Sequence, residues 1–201
     1  MLKQVQLYDI SDISFFILLV PLFFLFLTAL FESDENAFKN IGQALVGILW
    51  ITIPLSLLVW LSMKKGSYSW QIILIPLVLT WINDTFAYIS GRLFGKHPLA
   101  PKLTPKKTIE GFIGGVLLTT ASAWILSLII DKLHQPMWLI MGLLISLTAV
   151  LGDLVESKWK RGLGLKDSGA VLPGHGGLLD RFDAFLMVIP FYVLFLKIFA
   201  A

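Results

Sequence analysis

Ile13–Phe31 reads ISFFILLVPLFFLFLTALF: nineteen residues, no charge, six phenylalanines. Coiled as a helix, such a run is long enough to cross the hydrocarbon core of a bilayer. The same property recurs outward along the chain. Ile41–Met63 is a second run, softened by Gly42, Gly47 and Pro54, and Trp70–Ile82 continues past Asn83 and Asp84 to about Ile89. Phe112–Ile130 is the fourth. Met137–Leu151 is the fifth, extending into Gly152–Glu156, and Leu178–Phe199 closes the chain with Asp180, Arg181 and Asp183 in its first turns.

The composition agrees. Of the 201 residues, 57% are hydrophobic and 14% charged, against about 25% charged in an ordinary soluble domain. So little polar surface cannot cover a water-facing globule, and so much apolar surface excludes disorder. No period-two alternation suggests a barrel, and an open strand edge does not survive in hydrocarbon. The expected class is all-α: a polytopic transmembrane helical protein of about six spans. The first run is longer than the apolar region of a cleaved signal, follows Asp9 and Asp12, and precedes no small-x-small site, so it reads as retained. With no cysteine, disulfides, iron–sulfur ligation and thiol nucleophiles are excluded.

Residues 1–82 form an N-terminal transmembrane region of two to three spans. Residues 83–201 form a region in which two polar loops, 90–111 and 152–177, interrupt the apolar runs. Six spans put segments 32–40, 90–111 and 152–177 on one face, with ten cations: Lys39, Arg92, Lys96, Lys102, Lys106, Lys107, Lys158, Lys160, Arg161 and Lys166. The opposite face has five: Lys3, Lys64, Lys65, Lys132 and Lys197. The positive-inside rule makes the richer face cytoplasmic and leaves both termini outside.

Chemistry is expected in the two polar loops. Asp84 and Arg92 stand about two helical turns apart and can share a face, and Lys106–Lys107 adds a cationic pair. Gly91–Lys96 has the look of a phosphate loop, but its glycines are one residue too close and His97 stands where Ser or Thr should hold magnesium. The second loop is richer. Six glycines between 162 and 177, among them Gly174, Gly176 and Gly177, let backbone N–H groups approach an anion. Lys160, Arg161, Lys166 and Arg181 offer charge to phosphate oxygens. Asp153, Asp167, Asp180 and Asp183 offer hard oxygen ligands suited to Mg²⁺ bound jointly with phosphates. Asp180 and Asp183, three apart on a helix, can point into one site. Together these residues suit metal-assisted phosphoryl or nucleotidyl transfer. His175 is a candidate base, phosphate contact or turn residue; a phosphate monoester nucleophile, already largely ionised near neutral pH, needs no base.

At Ser157-Lys158-Trp159-Lys160-Arg161, Lys166-Asp167 and Gly174-His175-Gly176-Gly177-Leu178-Leu179-Asp180-Arg181-Phe182-Asp183, the chain resembles the phosphatidate cytidylyltransferase (CDP-diacylglycerol synthase) family. Gly91–Lys96 and Lys106–Gly111 extend the resemblance, which runs from about Asn83 to the C-terminus. Trp159 stands where the family usually has an aliphatic residue or Phe, and family members commonly carry more N-terminal spans. The resemblance implies that CTP and phosphatidate give CDP-diacylglycerol and pyrophosphate. It implies Mg²⁺ at Asp153 and Asp180, with Asp183 in support, and a potassium ion whose ligands nothing here picks out. Lys160, Arg161, Lys166 and Arg181 would clamp phosphates, and Ser157 and His175 would orient them. Arg92, Lys106, Lys107 and the glycines at 174, 176 and 177 would complete substrate binding. The implied setting is a bacterial inner membrane with the site facing the cytoplasm.

Rival readings are a CTP-dependent transferase acting on a polyprenol or isoprenoid lipid, a transporter of a phosphorylated solute, and a catalytically dead scaffold subunit. No nucleic-acid partner is expected. Gly111-x-x-x-Gly115 suits either close helix packing within the chain or a homodimer contact.

Overall fold

The structure, a computed structural model, describes residues 23–27, 37–63, 68–101, 103–130, 133–165, 177 and 179–199. Apolar runs become helices because, without water, each backbone N–H and C=O must be paired within its own segment. The elements are α1 (Ala37–Met63), α2 (Trp70–Phe94), β1 (Pro98–Ala100), β2 (Thr104–Thr108), α3 (Ile109–Ser127), α4 (Gln135–Gly162), a single 3-10 turn (Leu179–Arg181) and α5 (Asp183–Phe199). Residues 23–27, inside the first apolar run, are also helical; the rest of that run lies outside the described residues.

Among the described residues, α1 to α4 are long and apolar enough to cross a membrane. They correspond to the second through fifth expected spans, so the chain is an all-α, membrane-type helical protein. The sixth differs from expectation. Leu179–Arg181 forms a separate turn, closed by Phe182 N–H donating to the Leu179 carbonyl at 3.0 Å, and the helix proper starts at Asp183. An acidic first residue suits the positive end of a helix dipole. With seventeen residues, α5 sits at the short limit for a span.

The described parts of both polar loops hold regular structure that their composition does not suggest. Between 90 and 111, α2 runs on to Phe94, an antiparallel β1–β2 hairpin follows, and α3 begins at Ile109 rather than Phe112. Two side chains fasten this corner. Thr108 caps α3 by accepting from Gly111 N–H at 3.1 Å. Glu110 reaches back to accept from the backbone of Lys96 and His97 at 3.0 and 3.2 Å, and its other oxygen meets His97 Nδ1 at 2.6 Å. In the second loop, α4 continues through 152–162.

By their contacts the residues form two compact units, 1–52 and 53–201, and the packing described here is that of the second. There α3 packs against both α2 and α4, α4 against α5, and α2 touches α4 and α5. Leu79, Trp138, Met141, Ile145, Val188 and Ile189 are fully buried between them. Glycines set the spacing. A Cβ at Gly115 would lie 3.1 Å from Asn83 Oδ1 and from Ala87 Cβ, so the Gly111-x-x-x-Gly115 pair faces α2 of its own chain. At Gly142 a Cβ would meet Ala123 Cβ at 2.7 Å, and at Gly152 it would meet Met187 Cβ at 2.5 Å. At the far end of α5, the Lys197 ammonium lies 4.8 Å from the ring centre of Trp60. That contact brings the C-terminal ends of α1 and α5 together.

Gly142→Ala and Gly152→Ala should each cost about 1–3 kcal/mol by overpacking, read as a lower melting temperature in detergent. Gly162→Ala, where a Cβ meets nothing within 4 Å, should cost nothing.

Candidate active site

One side of α2 carries Asn83, Asp84, Ala87, Tyr88, Gly91 and Arg92, a three-to-four-residue rhythm that brings them to a single face. That face lines a cavity of about 460 Å³, within the size range of small-molecule sites. The hairpin closes it with Leu99, Lys106, Lys107 and Thr108, α3 with Gly111 and Phe112, and α4 with Ala149, Val150 and Asp153. Asp180 from the 3-10 turn and Asp183 with Ala184 from α5 complete the lining. Charges of both signs therefore converge from four separate stretches of chain: Asp84, Asp153, Asp180 and Asp183 against Arg92, Lys106 and Lys107.

The charges are paired in a definite way. Lys107 Nζ makes an ion pair with Asp153 Oδ2, joining the hairpin to α4. Burial pushes the Lys107 ammonium below the usual lysine range, although Asp84, Asp183 and Glu156 pull it back up. Lys160 Nζ contacts Glu156 Oε2 at 2.6 Å and donates to Asp180 Oδ1 at 2.7 Å. The second Asp180 oxygen accepts from Gly177 N–H at 2.7 Å. Asp183 accepts from the backbone of Ala184 at 2.6 Å, at the first turn of α5.

Of the residues singled out in the sequence, Arg92, Lys106, Lys107, Asp153, Asp180 and Asp183 line the cavity together. Asp180 and Asp183 do so from different elements rather than from one helix, because the 3-10 turn breaks the chain between them. Lys160 is not part of the lining; it is held by two carboxylates. Ser157 is half-buried on α4, Arg161 is exposed in its last turn, Arg181 is exposed in the 3-10 turn, and Gly177 is buried. Lys166, Gly174, His175 and Gly176 lie outside the described residues. Sequence reasoning assigned nothing to Glu156, which is 1% exposed. Its spacing from Asp153 and Lys160, three and four residues, was the available signal. Asp84 and Arg92 do share a face, and that face is the cavity wall.

The acidic lining supplies hard oxygen donors, the chemistry Mg²⁺ takes. No three His, Asp or Glu among the described residues are gathered so as to hold an ion by themselves. Asp153 and Asp180 both line the cavity, from α4 and from the 3-10 turn.

Comparison with known proteins gives a consistent picture. The sequence matches the cytidylyltransferase family over residues 3–199. It is 48% identical over 129 residues to a phosphatidate cytidylyltransferase of Staphylococcus epidermidis, covering 63% of this chain and 49% of the relative. The corresponding protein of Staphylococcus saprophyticus is 37% identical over 183 residues, 90% of this chain and 68% of the relative. For Staphylococcus aureus the figures are 48% over 120 residues, 59% and 46%. The chain spans about half the length of the first of these curated relatives. A match running almost from end to end, over a chain that gathers carboxylates, lysines and an arginine around one cavity, shows that it belongs to the cytidylyltransferase family.

Proposed function

We propose that the chain acts as a CTP-dependent phosphatidate cytidylyltransferase, joining CTP and phosphatidate into CDP-diacylglycerol and pyrophosphate in a bacterial inner membrane. One observation carries the reading: Asp153, Asp180 and Asp183 line a single cavity with Lys107, Lys106 and Arg92. Relatives named for this reaction support the choice of substrates.

In the reaction, a phosphate oxygen of phosphatidate attacks the α-phosphorus of CTP, and the bond to the β-phosphate oxygen breaks. Pyrophosphate leaves with that electron pair. The nucleophile is already ionised near neutral pH, so no general base is required. The obstacle is repulsion between two anions, and charge placed in advance at the cavity wall is the main remedy. Lys106, Lys107 and Arg92 would hold phosphate oxygens of the two substrates. Once CTP arrives, Lys107 has a choice of anions, because it is already paired with Asp153. Mg²⁺ held by Asp153 and Asp180, with Asp183 in support, would supply charge neutralisation on the triphosphate. Arg161, Lys166, Arg181, Ser157 and His175 stay assigned to phosphate binding and orientation, Gly174, Gly176 and Gly177 to backbone contacts, and a potassium ion is retained as a second cofactor. The substrates would meet at this cavity: acyl tails stay in the bilayer while CTP comes from the cytoplasm. A homodimer remains part of the proposal.

Purified protein in detergent, given labelled CTP, phosphatidate and Mg²⁺, should form CDP-lipid and pyrophosphate. Asp180→Ala or Asp153→Ala should lower the rate by about a hundredfold or more, the scale of losing a preorganised electrostatic contact. Normal turnover in both variants removes the metal assignment, and product formed only from a polyprenyl phosphate acceptor removes phosphatidate.

A reporter fused after Ala201 should be extracytoplasmic, since α5 leads away from the cavity. A cytoplasmic signal places the cavity on the wrong side for CTP.

A further inference from the structure

Glu156 has no part in the chemistry above, yet it is the most deeply buried carboxylate among the described residues, at 1% exposure. A buried carboxylate is costly unless it is paired. It meets Lys160, one turn further along α4, with Nζ at 2.6 Å from Oε2, and it also shares a hydrogen bond with the Asp183 carboxyl. Lys160 is itself only 17% exposed, and it reaches on to Asp180 Oδ1 at 2.7 Å, twenty residues away in sequence. The three side chains form a continuous strut: carboxylate, ammonium, carboxylate.

Asp180 needs such support. It sits on a three-residue 3-10 turn, a short form of helix with poorer hydrogen-bond geometry than the α-helix. The neighbouring α4 is a 28-residue helix. Lys160 links the two, but its four-carbon stem alone has many rotamers to choose among. Glu156 selects one, in the favourable order with Glu one turn before Lys. Gly177 N–H then holds the other Asp180 oxygen, so Asp180 is gripped from both sides while it faces the cavity.

We propose that Glu156 is a positioning residue, which holds Lys160 and, through it, aims Asp180 into the cavity. Lys160 on this view is a strut rather than a phosphate clamp. The inference rests on the reading of Asp180 as a divalent-metal ligand. Removing Glu156 alone would also remove a negative charge, which weakens any nearby cation site by field effect. The informative variant is therefore Glu156→Gln combined with Lys160→Met. It leaves the net charge unchanged and removes both members of the buried Glu156–Lys160 pair, a substitution buried ion pairs often tolerate, while Asp180 keeps the Gly177 N–H at 2.7 Å.

The readout is Mn²⁺ binding to the detergent-purified chain without nucleotide, followed by electron paramagnetic resonance, with the melting temperature measured alongside. The double variant should bind Mn²⁺ about 10–100-fold more weakly, the usual effect of removing a partner that orients a metal ligand, while still folded. Wild-type affinity in the folded double variant overturns the proposal. Should the double variant not fold, Glu156→Gln takes its place. Because an amide oxygen still accepts from Lys160, the loss should be smaller than in Glu156→Ala; equal affinity in these two variants overturns the proposal. Asp180→Ala serves as the reference. If it binds Mn²⁺ normally, the metal reading itself fails; if it loses binding and the strut variants do not, only the strut fails.

Discussion

A charge at the end of an apolar helix must find an opposite charge or an aqueous cavity, because the low-dielectric surroundings offer nothing else. In this protein both solutions are used at once. Lys107 meets Asp153 across the gap between the hairpin and α4, and Lys160 meets Glu156 and Asp180 across the gap between α4 and the 3-10 turn. The first pair lies in the wall of the cavity, and the second holds one of its lining carboxylates, Asp180. The site is therefore assembled by the same electrostatic requirement that lets charged side chains sit within or beside apolar helices.

That assembly depends on helices coming close enough for short side chains to meet. Gly111 and Gly115 let α3 approach α2, Gly142 lets α4 approach α3, and Gly152 lets α5 approach α4. Gly152 immediately precedes Asp153, so one close contact also decides how near that carboxylate lies to α5 and Asp183. The Thr108 cap and the Glu110 clamp act on the other side, fastening the hairpin whose Lys106 and Lys107 line the cavity. Packing and catalytic geometry are thus coupled through adjacent residues, and small side chains are as necessary to the site as charged ones.

Much of this was legible before any coordinates. Four expected spans appear as helices, and the carboxylates and cations that line the cavity were nearly all singled out in advance. The sixth span starts later than its hydropathy suggested, because hydropathy averages over a window and cannot see that Asp180 and Arg181 close a turn of their own. The hairpin was missed for a similar reason: three- and five-residue strands rich in Pro, Lys and Thr carry no alternation to read. Glu156 was overlooked because a lone glutamate beside lysines looks like a solvated helix surface.

By itself the sequence determined the class of the protein and its inventory of chemical groups. Hydrophobic runs and motif spacings are local properties, fixed by the need to satisfy backbone hydrogen bonds in lipid and by the shape of a helix. Only the tertiary structure decided which carboxylate faces which cation. Pairings such as Lys107 with Asp153, or Lys160 with Asp180, join residues far apart in the chain, and they exist because packed helices bring those side chains within a few ångströms. Electrostatic energy depends on distance through space, and distance along the chain does not report it.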